Sequence, residues 1–185
     1  FAHGGMEYPM MTWISNAQKQ KEEVVIHETA HQWWYGLVGT DSINQSFIDE
    51  GLATFSTLYY YKLKGDEEKF ENQFKEMNIN YKNYIKLKEV NSPDFVARMD
   101  KPIYDYTTSD YNILIYDKSA LMFKNVYDMV GQKKFEKSLK YFYEDNCMKI
   151  AKKEDLYRAF NRGCNKDMGK IFDSWINGSV QIFAA

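Results

Sequence analysis

An α+β fold dominated by helices is predicted for this 185-residue chain, and three observations carry the prediction. Residues 1 to 14 alternate between glycine, aromatic and β-forming residues, so one or two strands belong there. Further along, apolar residues recur at helical spacing, as in Phe70, Phe74 and Met77 or in Phe135, Leu139 and Phe142. Finally, 17% aromatic content supplies ample core, and the length fits a single domain by the usual range of about 100 to 200 residues.

The first helix is expected from Lys19 to Val38. Val24, Val25, Ile26, Ala30, Trp33, Trp34, Leu37 and Val38 make it apolar around most of its circumference, which predicts a buried helix stopping at Gly39. Within it, His27 and His31 stand four apart and share one face, so both imidazoles can reach a single metal ion. Glu28, one residue further round, stands where a zinc hydrolase needs its general base. A buried helix rarely carries two histidines and a glutamate unless they are paired or coordinated.

A catalytic zinc ion takes three protein ligands and leaves its fourth position to water. The third ligand is not a nearby histidine in the pattern H-E-x-x-H-x-x-G-x-x-H, because Trp34 and Leu37 occupy the required positions. The candidates are the downstream acids Asp41, Asp49 and Glu50. A second helix is expected from Phe47 to about Lys64, and there Glu50 shares a stripe with Ala53, Thr54 and Thr57, small residues that let two helices approach closely. Glu50 is therefore preferred to Asp49.

Gly65 breaks the charged run that follows, and Phe70, Phe74 and Met77 mark the buried stripe of the next helix. An irregular stretch rich in Pro, Asp and Thr runs from Asn91 to about Asp110, and loops of that length are often part of a site. Tyr111 to Leu121 leads into an apolar-periodic helix ending near Gly131, and three amphipathic helices fill Gln132 to Trp175. Lysines such as Lys133, Lys137 and Lys152 are interspersed with acids, and the net charge is −2. Neither a nucleic-acid nor an anionic-membrane partner is expected. No apolar run approaches the roughly 18 residues that span a membrane. Cys147 and Cys164 are an isolated pair, neither a disulfide framework nor a metal motif, so free thiols are expected.

H-E-x-x-H, eighteen residues, then Glu50 followed at once by Gly51-Leu52-Ala53 resembles the zinc aminopeptidases of the aminopeptidase N type, a group that includes the leukotriene-hydrolase relatives. Phe47-Ile48-Asp49-Glu50-Gly51-Leu52-Ala53 is similar to their W-[LM]-N-E-G-F-A box, with Phe47 for tryptophan, and Thr57 stands where many relatives carry another glutamate. Gly4-Gly5-Met6-Glu7-Tyr8 resembles their G-x-M-E-N exopeptidase box, with Tyr8 for asparagine. Tyr116-Asp117-Lys118-Ser119-Ala120 resembles their Y-[DE]-K-G-[AS] box, with Ser119 for glycine.

The resemblance implies one Zn²⁺ held by His27, His31 and Glu50, with Glu28 as base and then acid. It implies that Tyr116 donates to the oxyanion, that Glu7 binds the substrate's free α-ammonium, and that backbone at Gly4-Gly5 pairs with the peptide. The partner it implies is a peptide with a free N-terminus. It further implies a thermolysin-like catalytic domain over residues 1–185, truncated and lacking part of its N-terminal sheet. Within it, 1–16 would be a residual β segment with the exopeptidase box, 19–64 the two ligand helices, and 111–185 a helical C-terminal part. The preceding β-rich domain of the parent protein would be missing. Cytoplasm is favoured over a membrane-associated or secreted location. Rivals using the same zinc chemistry are an endopeptidase and an epoxide hydrolase, and a non-enzymatic helical scaffold is a further alternative.

Overall fold

The computed structural model describes residues 4–16 and 21–178. The expectations made for residues 1–3, 19 and 20, and 179–185 lie outside the described residues. Two short strands, β1 (Gly5–Met6) and β2 (Trp13–Ile14), pair antiparallel at the start and pack against α1 (Lys21–Ala30). The chain continues through β3 (Val38–Thr40), α2 (Asp49–Leu63) and the long α3 (Glu67–Asn91). Asp66 caps α3 by accepting from the Lys69 amide, after Gly65 turns the chain at a positive φ of 88° that a side chain would resist.

The expected irregular stretch is present. It contains a 3-10 turn at Ile103–Asp105 and passes into α4 (Thr108–Tyr111), whose first turn Thr107 caps. Residues Asn112–Lys118 form a π-helical segment that runs directly into α5 (Ser119–Val130). The three expected amphipathic helices follow as α6 (Gln132–Asn146), α7 (Lys153–Cys164) and α8 (Gly169–Asn177), and β4 (Lys149–Ala151) lies between α6 and α7. β4 pairs parallel with β3, placing Thr40 beside Ala151. Both cysteines are free thiols, as expected.

The first helix departs from its expected form in two ways. Regular α-helix ends at Ala30, not Val38, because the amides of Gly36, Leu37 and Val38 bond the carbonyls five residues back and the chain then turns at Tyr35 (φ 136°) into β3. Gly39, expected as the helix stop, sits in that strand, where Ile150 and the Lys149 carbonyl crowd it. The helix is also not buried: Val25 is 42% exposed and Trp33 49%, so apolar character around the circumference outruns what this chain covers.

The core lies elsewhere, between α2, α3 and α5 to α8. Phe55 meets Phe70, Phe74, Tyr127 and Phe135, while Phe160 meets Phe123, Phe135 and Phe172, in edge-on and tilted contacts that suit aromatic quadrupoles. Gly51 permits a close approach in this core: a Cβ there would stand 2.6 Å from Ser119 Oγ. That contact sets α2, which carries Glu50, against the start of α5, directly after the segment that carries Tyr116.

Candidate metal centre

α1 brings His27 and His31 together even though its regular part ends between them, because the His31 amide still bonds the His27 carbonyl at 3.2 Å. His31 is 1% exposed and its Nδ1 donates to the Trp34 carbonyl at 3.0 Å. That bond commits Nδ1 as a donor and aims Nε2 inward. His31 Nε2 then lies 3.1 Å from His27 Nε2 and 3.3 Å from Glu50 Oε2, and His27 Nε2 lies 3.1 Å from the same oxygen. Three donor atoms thus form a nearly equilateral triangle.

These residues fit a zinc ion. Nitrogen and oxygen donors bound at about 2.0 to 2.2 Å in tetrahedral geometry stand roughly 3.3 to 3.6 Å apart. A pair of imidazoles plus one carboxylate is also the donor chemistry of catalytic rather than structural zinc. Burial opposes charge on Glu50, yet the two histidines hold its carboxyl well below the usual carboxylate range. Burial likewise opposes charge on His31, but the Glu50 carboxylate keeps its pKa up at about 9. The acid is ionised and ready to coordinate.

Of the other acids considered, Asp41 is half-buried and bonds the Asn44 backbone and side chain. Asp49 is buried, but its carboxylate accepts from the hydroxyls of Thr40 and Ser42, both at 2.7 Å, and from the Glu50 amide at 3.1 Å. Nothing in the sequence signals this role for Thr40, which depends on strand pairing. β3 thereby fixes the residue next to Glu50.

Glu28 is buried beside the triangle, and its Oε2 has no hydrogen-bond partner among the described residues. Burial pushes its carboxyl up to about 7; the charges of Glu7 and Glu50 add to the shift, and His31 opposes it. Gly5 is required here, since a Cβ would stand 2.4 Å from Glu28 Oε1. Glu7 comes in from β1, and its carboxylate, that of Glu28 and a His31 ring nitrogen lie within 4.8 Å of one another. Tyr116 donates to Glu50 Oε1 at 2.9 Å, and burial and the Glu50 charge raise its pKa, so it remains a phenol with a proton to give.

Two cavities meet at this cluster, and His27, Glu28 and Tyr116 line both. The larger, about 720 Å³, is walled by Met6, Glu7, Tyr104, Tyr106 and Tyr111. The smaller, about 430 Å³, is walled by Gly4, Val24, Thr57, Leu58 and Met77. Every residue singled out in the sequence, Gly4, Gly5, Met6, Glu7, His27, Glu28, His31, Glu50 and Tyr116, is therefore at or around one place. Tyr104, Tyr106 and Tyr111 were not singled out, because one tyrosine among fifteen carries no signal of its own.

Residues 4–175 match the model of the peptidase family M1 domain. Aminopeptidase M1 of Arabidopsis thaliana is 26% identical over 95% of this chain, which spans 21% of that protein. Glutamyl aminopeptidase of Rattus norvegicus is 24% identical over 90% of the chain and 17% of its own length. The chain thus spans about a fifth of these curated relatives. Among solved structures, the M1 zinc metallopeptidase from Deinococcus radiodurans superposes with a TM-score of 0.72 at 16% identity, over 95% of this chain and 37% of that one. The aminopeptidase A of Legionella pneumophila, in complex with aspartic acid, superposes with a TM-score of 0.65 at 19% identity, over 96% of this chain and 20% of that one. These superpositions concern the fold.

Proposed function

The chain belongs to peptidase family M1, and from that premise we propose that it carries the active site of a zinc-dependent aminopeptidase that removes N-terminal residues from peptides. The observation that carries this reading is the triangle of His27 Nε2, His31 Nε2 and Glu50 Oε2, with sides of 3.1 to 3.3 Å, flanked by Glu28 and Tyr116. His27, His31 and Glu50 would hold one Zn²⁺, which when bound supplies a water that ionises near neutral pH and an electrophile for the scissile carbonyl.

Each remaining step belongs to a side chain of this protein. Glu28 takes the proton of the attacking water and returns it to the departing amine, a double duty suited to a carboxyl held near 7. Tyr116, now resting on Glu50, exchanges that acceptor for the oxyanion of the substrate and stabilises the charge developing there. Glu7 takes the α-ammonium by a charge-assisted hydrogen bond, which makes the first peptide bond the one presented to Glu28. Backbone at Gly4-Gly5 runs beside the peptide as an added strand.

On this reading the chain is a thermolysin-like catalytic domain of a longer parent, lacking part of its N-terminal sheet. Of the described residues, 4–16 are its residual β segment, 21–64 carry its ligand helices and 111–178 form its helical closing part. Cytoplasm remains the proposed compartment, checked by fractionation. No helix among the described residues is long and apolar enough to cross a membrane.

The test is elemental analysis of the full-length protein beside hydrolysis of aminoacyl amides and of their N-acetylated counterparts. One zinc per chain, turnover of free amines only and loss of turnover in Glu28→Gln are expected. Equal cleavage of acetylated substrates would turn the assignment to an endopeptidase, and absence of zinc would remove it.

A further inference from the structure

Lys118 has no part in the chemistry above, yet it is the most deeply buried cation of the described residues. It is 0% exposed, and no carboxylate bonds it. Its ammonium instead donates to two backbone carbonyls, Ala97 O and Gly178 O, at 2.5 Å each. Burial pushes its pKa down to about 7, with Asp100 the only charge opposing the shift. Burying a lysine without an acid is costly, and a methionine would fill similar space at lower cost.

What the lysine holds is informative. It is the last residue of the π-helical segment and lies two positions after Tyr116, and residues two apart point to opposite sides of a helix. Tyr116 faces Glu50, while Lys118 reaches away into the junction of two other segments. One is the irregular stretch after α3, where Ala97 is fixed and from which Ile103, Tyr104, Tyr106 and Thr107 go on to wall the larger cavity. The other is the end of α8, whose Ile176 carbonyl also receives the Met99 amide. π-type turns carry weaker, wider hydrogen bonding and recur at functional sites. A segment of that kind needs an external anchor to hold a hydroxyl in place, since a displacement of about 1 Å at a reacting group can cost about 100-fold in rate.

We propose that Lys118 is a positioning residue for the aminopeptidase reaction: by tying the π-helical segment to the carbonyls of Ala97 and Gly178, it sets the aim of the Tyr116 hydroxyl and the place of the tyrosine-rich cavity wall. The proposal rests on the role assigned to Tyr116 above. It separates Lys118 from a generic stabiliser, because its removal should act on kcat through one particular neighbour.

The experiment is a double-mutant cycle in the full-length zinc-loaded protein with K118M, Y116F and the pair, reading kcat and KM separately with zinc content as control. Y116F should lower kcat by about 100- to 1,000-fold, as expected for loss of one oxyanion donor. K118M should lower kcat by about 10- to 100-fold with zinc content unchanged, and the pair should be no worse than Y116F alone. Should K118M not fold, K118R, which keeps the charge but not the length, goes through the same cycle and is judged by the same comparison. If the lysine variant and Y116F multiply, or if the lysine variant leaves kcat unchanged, the positioning role is wrong. If Y116F itself leaves kcat unchanged, the fault lies instead with the reading of Tyr116.

Discussion

The two halves of this molecule handle burial in opposite ways. In α1 only Glu28 is buried, while Val25, and Trp33 just beyond the helix, stand in the open. In α5 through α8 the buried residues are mostly aromatic and aliphatic, with Phe123, Phe135, Phe142, Phe160 and Phe172 fully enclosed. α1 hides a carboxyl and shows apolar side chains, whereas α5 through α8 hide mainly apolar ones. Polar groups crowded together out of water are expensive, so the half that carries the chemistry leans on the half that carries the core. The lean is visible in particular contacts: Gly51 against Ser119, and Thr40 of β3 against Asp49.

Substitutions can break that contrast cleanly. The largest effect is expected for Glu28→Gln, which should lower kcat by about 100- to 10,000-fold with thermal stability unchanged or raised, because it removes a buried charge-bearing group and no packing. Steady-state kinetics beside a thermal melt checks both parts. Phe160→Ala should do the opposite, costing about 3 to 5 kcal/mol in denaturant unfolding while the surviving folded protein still binds zinc. Between these lies Gly51→Ala, where the added methyl meets Ser119 and Phe123 at the joint between the halves. A cost of about 1 to 3 kcal/mol is expected, together with a fall in kcat.

Smaller effects sharpen the picture. Burial lowers the Lys118 pKa from 10.5 to about 7, so between those values the unfolded chain binds a proton that the folded one has released. Stability should therefore rise with pH across that window, with the cost of the buried charge fully present below it. Unfolding midpoints from pH 7 to 10 should show a shallower rise in K118M than in the wild-type chain. Least of all, Lys140→Ala breaks an exposed pair with Glu144 at 3.7 Å and should change stability by less than about 0.5 kcal/mol.

The same contrast explains what was legible in the sequence. His27, Glu28 and His31 could be placed because their relation is local: four residues make a turn, whatever the rest of the chain does. The amphipathic helices over Gln132 to Trp175 were legible for the same reason. The burial of α1 was misjudged because apolar residues around a helix state an appetite for cover and not its presence. Its early end at Ala30 depends on the widened turn before Val38 and on strand pairing with Lys149 to Ala151, which no local pattern announces. Tyr116 emerged only through family resemblance, since an aromatic residue in a helix does not say which way a π-type turn will point it.

The pairing of β3 with β4 also sets an order of events. Val38 is matched to Lys149 and Thr40 to Ala151, so the strand that steadies Asp49, and through it the neighbouring ligand, has no partner until β4, far downstream in the sequence, has been made. A chain emerging from the ribosome exposes both histidines and the third ligand long before they can be locked in register. Newly made protein should accordingly acquire its metal only after β4 has emerged, and nascent chains cut short of residue 149 should hold zinc poorly or not at all.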